Sequence, residues 1–123
     1  MINIGIIGAG RIGKVHGESI SKYVKGARVK SIYNFILDDE TVAWAKEMGI
    51  DEVYDDYNKI LNDEEIDAVL ICTSTDTHSP ISIEAIRAGK HVFCEKPIDH
   101  DIQKIKNVME ELEKSNVKYQ VGF

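Results

Sequence analysis

The sequence predicts an α/β protein built on a doubly wound, parallel, six-stranded sheet with helices on both faces. Three observations predict it. Apolar runs of strand length alternate with longer amphipathic stretches along the whole chain. The connections between them are short, as in right-handed β–α–β units. The first strand also runs straight into a glycine turn, Gly8-Ala9-Gly10-Arg11-Ile12-Gly13, which opens a helix.

Each element has its own signal. Ile2–Ile7 is an apolar strand, and Ile12, Val15, Ile20, Tyr23 and Val24 recur at helical spacing after it. Ala27–Asn34 mixes β-branched, apolar and polar residues and reads as a second strand. Asp39–Met48 is a helix with an acidic first turn, closed by Gly49. A short strand at Glu52–Tyr54 and a short helix at Tyr57–Leu61 follow. Asp67–Cys72 is a continuous apolar run bounded by polar residues, the pattern of a strand buried on both faces. Ser79 and Pro80 are expected to start the next helix, as N-cap and first helical residue, with Gly89 as its stop. His91–Cys94 is a strand, Ile102–Lys114 an amphipathic helix, and Val117–Val121 the last strand.

The glycine turn carries the first functional reading. A strand, Gly-x-Gly-x-x-Gly at Gly8, Gly10 and Gly13, and then a helix is the context required of a dinucleotide-binding fingerprint. Gly8 permits the tight turn, Gly10 removes a side chain that would hold off a pyrophosphate, and Gly13 lets the helix pack closely. Arg11 and Ile12 stand in the same turn, where the helix N-terminus offers free N–H groups and a positive dipole end. The fold this implies is the Rossmann arrangement, with its ligand at the carboxyl ends of the strands.

Composition narrows the alternatives. The chain has 123 residues, 43% of them hydrophobic and 29% charged, which suits one domain with a real core. Its net charge is −6 and no basic block stands out, so nucleic acid and anionic membrane are not expected partners. The Met-Ile-Asn-Ile start reads as a strand and not as a signal peptide. Cys72 and Cys94 fit no metal or disulfide spacing, so no metal is expected, and they read as buried groups in a reducing cytoplasm.

A second cluster falls at the carboxyl ends of the fourth and fifth strands. It comprises Cys72-Thr73-Ser74-Thr75-Asp76-Thr77-His78 and Ala88-Gly89-Lys90-His91-Val92-Phe93-Cys94-Glu95-Lys96-Pro97. Together with the glycine turn, the chain resembles the Gfo/Idh/MocA oxidoreductases over its whole length, and Gly8–His16 resembles their inositol 2-dehydrogenase branch. The resemblance implies a nicotinamide dinucleotide held by the glycine turn and by Thr73, Ser74, Thr75 and His78 after the fourth strand. It implies that Lys96 orients a substrate hydroxyl and assists proton transfer, while Glu95 shapes the cofactor pocket. An ammonium beside an alcohol losing its proton favours the alkoxide-like transition state. The residues alone also allow Lys96 to be a surface lysine paired with Glu95. His16, His91 and His100 read as packing or solvated groups.

The chain departs from the pattern in two places. The second strand of such a unit usually ends in an acid that holds the adenosine ribose. Here the position is Asn34, 21 residues after Gly13, whose amide can accept a ribose hydrogen bond but carries no charge. Asp38, Asp39 and Glu40 follow without a nearby arginine or lysine, so NAD is expected over NADP. The resemblance also implies a further domain carrying the substrate pocket, a histidine base and the oligomer interface, none of which is found in residues 1–123. Cofactor binding with little turnover is the expectation for this chain, as part of a polyol or sugar dehydrogenase that oligomerises only with that domain. An NAD-dependent glycosidase and a non-catalytic nucleotide sensor are the alternatives.

Overall fold

The computed structural model describes residues 1–122. Six strands, β1 (Ile2–Ile7), β2 (Ala27–Tyr33), β3 (Glu52–Tyr54), β4 (Ala68–Ile71), β5 (His91–Cys94) and β6 (Tyr119–Val121), form one parallel sheet in the order β3-β2-β1-β4-β5-β6. Between them run α1 (Arg11–Tyr23), α2 (Asp39–Glu47), α3 (Asn58–Leu61), α4 (Thr75–Arg87) and α5 (Ile102–Glu113). The chain winds outward from β1 to β3, returns, and winds the other way from β4. The carboxyl ends of β1 and β4 therefore part at the centre of the sheet, which is the topological switch point.

The sheet separates two cores. On one face, Ile4 and Ile6 of β1 and Val29 and Ile32 of β2 pack with Ala45 and Trp44 of α2 and Ile20 of α1. On the other, Val69 and Ile71 of β4 and Val92 and Cys94 of β5 meet Ile60 of α3, Ile81 and Ala85 of α4 and Val108 of α5. Both faces of the central strands are thus covered, which is why β4 reads as an unbroken apolar run and β1 as one interrupted only by Asn3 and Gly5. Fully buried Ile6, Ile7, Ile32 and Ile71 each contribute about 1.5–3 kcal/mol of transfer free energy. No helix among the described residues is long and apolar enough to cross a membrane.

The expected elements all occur, with three corrections. Four of the five residues of the expected apolar stripe, Ile12, Val15, Tyr23 and Val24, are exposed, and only Ile20 packs into the core. The buried residues of α1 are Gly13 and Gly17. A Cβ on Gly17 would sit 2.5 Å from Cη2 of Trp44, so the helix is held too close to α2 for a side chain there. Close approach, not apolar periodicity, selects the inner face.

The second correction concerns α4, which begins at Thr75, with Ser74 and not Ser79 at the N-cap. The residues from Thr75 to His78, which precede the expected helix start, form its opening turn. Pro80 lies inside this helix, exposed and on the wall of the cleft described below. The third is β6, which is shorter than the predicted strand and starts at Tyr119.

Candidate dinucleotide-binding site

Two helix N-termini converge on the switch point, and both lack a side-chain cap. The N-caps of α1 and α4 are Gly10 and Ser74, and neither side chain bonds a first-turn N–H. Of the other helices, α2 and α5 are capped by the carboxylates of Asp38 and Asp101, and the single-turn α3 has no side-chain cap at Tyr57. The first N–H groups of a helix have no intrahelical partner. The Thr77 N–H of α4 already reaches the Ser74 carbonyl at 3.0 Å; the donors ahead of it, and those of α1, are left for another acceptor, in the positive end of two helix dipoles.

The glycine turn is shaped for that acceptor. Gly8 has φ +109°, and a Cβ on it would lie 2.7 Å from the Cys72 backbone carbon. A Cβ on Gly13 would lie 1.9 Å from the Gly8 carbonyl oxygen, so this glycine seats α1 on the turn itself more than on the sheet. A Cβ on Gly10 would meet nothing within 4 Å. No packing in the protein demands a glycine at position 10; the space beside it suits a ligand.

That space belongs to a cleft of about 530 Å³. The glycine turn contributes Gly8 and Gly10, the end of β2 Tyr33, Asn34 and Phe35, and the end of β4 Cys72, Thr73 and Ser74. Asp76, Thr77, Pro80 and Ile81 of α4 and the ring of Tyr57 complete it. Tyr57 packs edge-on against Tyr33 with ring centroids 5.5 Å apart, and its hydroxyl donates to Glu84 over 2.5 Å. Burial and that carboxylate push its pKa up to about 12, so it stays a neutral donor. Burial, with Glu95 nearby, likewise pushes the Cys72 thiol up to about 12. The apolar, aromatic end of the cleft suits a base, and the end with the two helix termini suits phosphate.

Of the site residues expected from sequence, Gly8, Gly10, Asn34, Thr73 and Ser74 line this cleft; Arg11, Ile12, Gly13, Thr75, His78, Glu95 and Lys96 do not. Arg11 and Ile12 are exposed at the start of α1, and Thr75 is the first residue of α4. Asn34 is engaged with the protein. Its Oδ1 accepts from the Ala9 N–H at 3.0 Å and its Nδ2 donates to the Ile36 carbonyl at 2.9 Å. The amide thus braces the glycine turn from the end of β2 while lining the cleft.

Beside the cleft, the β5–α5 connection carries Glu95, Lys96 and a cis Lys96–Pro97 peptide. Glu95 is not paired with Lys96. Its carboxylate lies 2.5 Å from Nε2 of His16 on α1, while the His16 ring packs edge-on against Phe93 at 5.5 Å. His16, which reads in the sequence as a packing or solvated group, ties the helix of the glycine turn to Glu95, a pairing across 79 residues with no local signal. Lys96 is exposed and makes no ion pair among the described residues, which leaves its ammonium available. His78, expected to line the site, is buried behind it, with both ring nitrogens at backbone carbonyls.

A parallel sheet ordered 3-2-1-4-5-6, with a glycine turn and two uncapped helix termini at the switch point, defines a dinucleotide-binding Rossmann domain. Comparison with known proteins makes this specific. Residues 2–123 match the model of the Gfo/Idh/MocA oxidoreductase family, NAD-binding Rossmann fold, and the chain belongs to that family. It is 36% identical over 122 residues to myo-inositol 2-dehydrogenase of Thermotoga maritima, covering 99% of this chain and 36% of that protein. It is 33% identical over 122 residues to scyllo-inositol 2-dehydrogenase (NAD(+)) of Bacillus subtilis, covering 99% of this chain and 35% of the relative. The crystal structure of Lactobacillus casei scyllo-inositol dehydrogenase with bound NAD(H) and scyllo-inositol superposes with a TM-score of 0.92 at 35% identity, over 99% of this chain and 36% of that one. The chain therefore spans about a third of the length of the relatives it matches, and it is an NAD-binding oxidoreductase domain.

Proposed function

We propose that this chain is the cofactor-binding part of an NAD-dependent dehydrogenase acting on the CH–OH group of an inositol-like polyol. The observation that carries the reading is the pair of uncapped helix N-termini facing a cleft in which position 10 is kept free of a side chain. The relatives named as inositol dehydrogenases support the substrate class.

NAD, when bound, supplies a nicotinamide carbon that takes a hydride from the alcohol carbon. The chain's own residues bind and orient. The first-turn N–H groups of α1 and α4 hold phosphate, Tyr33, Phe35 and Tyr57 receive the base, and Asn34 keeps the turn in place. Thr73 and Ser74 contribute hydroxyls at the end of β4. The Lys96 ammonium, free of an ion pair, steadies a substrate hydroxyl as it loses its proton. No residue of this chain is assigned the base. The chain by itself is accordingly expected to bind cofactor with little turnover, and any oligomer to depend on segments beyond those matched here.

Fluorescence titration with NADH and with NADPH tests the reading. Saturable binding with NADH preferred is expected, because Asp38, Asp39 and Glu40 follow Asn34; neutral Asn34 itself does not repel a 2′-phosphate, so the preference is weaker than an aspartate there would give. Binding of neither would overturn it. Rapid reduction of NAD by myo- or scyllo-inositol with this chain alone would overturn the expectation of low turnover.

A further inference from the structure

His78 is 2% exposed and sits between two loops of the site. Its Nδ1 lies 2.8 Å from the carbonyl oxygen of Pro97, after β5, and its Nε2 lies 2.9 Å from that of Thr73, after β4. Both partners only accept. A neutral imidazole has one N–H, so one ring nitrogen would aim a lone pair at a carbonyl oxygen at hydrogen-bond distance. The imidazolium alone donates to both. We propose that His78 is a positioning residue, held protonated, whose two N–H donors keep the Thr73 end of the cleft and the Lys96–Pro97 turn in fixed relation to each other.

The proposal rests on the cofactor-site reading given above, since it assigns His78 the task of relating one cleft-lining loop to the Lys96 loop. The two loops have few other ties. The last rung of the β4–β5 ladder is Glu95 N–H to the Ile71 carbonyl at 3.1 Å. The adjacent Ser79 hydroxyl donates to Asp99 at 2.7 Å, so α4 grips the β5–α5 connection twice in succession. Both residues lie in the opening turns of α4, which gives the early start of that helix a use.

The surroundings permit the charge. No carboxylate pairs with the His78 ring among the described residues. The titratable group packed on it from β5 is Cys94, which also interacts with Tyr119 of β6; Asp99 approaches through Ser79. Burial works against the imidazolium, but contact with Cys94 and the carbonyls of Pro97 and Thr73 outweighs it and lifts the pKa to about 9. Because the folded value is raised, the clamp's contribution is complete below the ordinary histidine value of about 6.5 and is lost as pH rises through about 9.

Long-range ¹H–¹⁵N spectra of the histidine-labelled chain between pH 6 and 10 test the charge. One ring, missing from the spectrum of His78→Gln, is expected to stay protonated at both nitrogens to about pH 8. A neutral, single-tautomer His78 at pH 7 overturns the proposal whether or not the chain binds cofactor. The ¹³C carbonyl resonances of Thr73 and Pro97 report the coupling. They are expected to move together with the His78 midpoint, and to do so also in Cys94→Ala. Carbonyls that do not follow the ring, or a transition abolished in Cys94→Ala, overturn it. NADH affinity is expected to fall about tenfold across the same interval, and to be already reduced and without that step in His78→Gln. Unchanged affinity through the transition in a chain that binds NADH refutes the positioning role. A chain that binds no NADH at any pH fails the cofactor reading instead, and the carbonyl shifts then decide the clamp.

Discussion

Replacing Gly10 by alanine should separate binding from folding. The residue is the N-cap of α1, with φ −76° and ψ −160°, an extended conformation that alanine adopts without strain. Its added methyl meets nothing within 4 Å. Alanine is a poorer N-cap than glycine by about 0.5–1 kcal/mol, and the stiffer unfolded chain offsets about as much. Stability should therefore change by less than about 1 kcal/mol, a shift of a few degrees in Tm at this size. The same methyl projects into the space the helix terminus leaves for phosphate. Losing one charge-assisted hydrogen bond, about 1.5–3 kcal/mol, weakens NADH binding about 10- to 150-fold. Gly13→Ala is the contrast: its methyl would fall 1.9 Å from the Gly8 carbonyl oxygen, so the turn must move and the fold must suffer. Thermal melts and NADH titrations on both variants provide the assay. Wild-type affinity in Gly10→Ala, or a Tm lowered as much as in Gly13→Ala, would refute the assignment of that space to a ligand.

Other perturbations follow from the same geometry. Asn34→Asp should keep the acceptor for the Ala9 N–H while adding a charge that repels a 2′-phosphate. NADH over NADPH preference is expected to rise about tenfold; an unchanged ratio would place the ribose away from residue 34. Gly17→Ala drives a methyl to within 2.5 Å of Trp44, which should cost about 1–3 kcal/mol and shift the fluorescence of that single tryptophan, with NADH affinity per folded molecule unaltered. Cys72 and Cys94 are both buried, and burial raises the Cys72 thiol to about 12, so neither should react with a thiol reagent at pH 8 until the chain unfolds; rapid labelling of the native protein would contradict the packing. The Lys30 ammonium, bonded to Asp63 and 3.0 Å from Glu52, holds the Asp63 carboxyl below its usual range. That contribution is present above the ordinary carboxylate pKa and lost as pH falls through the lowered value. Acid unfolding of Lys30→Gln should therefore begin from lower stability and show a shallower pH dependence, measurable by denaturant titration between pH 3 and 7.

Gly8-Ala9-Gly10-Arg11-Ile12-Gly13 announced the binding function because its requirement is local: a backbone turn and a bare helix terminus are written in consecutive residues. Glu52–Tyr54 and His91–Cys94 were legible for the same reason, as strands whose signals lie within their own few residues. Where partners are distant, the signal vanished. Ile12, Val15 and Tyr23 of α1 read as core residues until Trp44, folded back against Gly17, shows the buried face to be that of Gly13, Gly17 and Ile20. Asn34 reads as a ribose contact, and its second task, accepting from the Ala9 N–H 25 residues earlier, has no local signal.

The amino-acid sequence by itself determined the alternation of strands and helices, the parallel sheet they must form and the nucleotide-binding turn at its centre. These depend on periodicity and on backbone chemistry within a few residues. Only the tertiary structure decided that α4 begins at Thr75, that Glu95 faces His16 and leaves Lys96 unpaired, and that His78 lies behind the cleft. Each of those outcomes depends on which carbonyl, ring or carboxylate is brought within 3 Å by the winding of the sheet, and no local pattern encodes that distance.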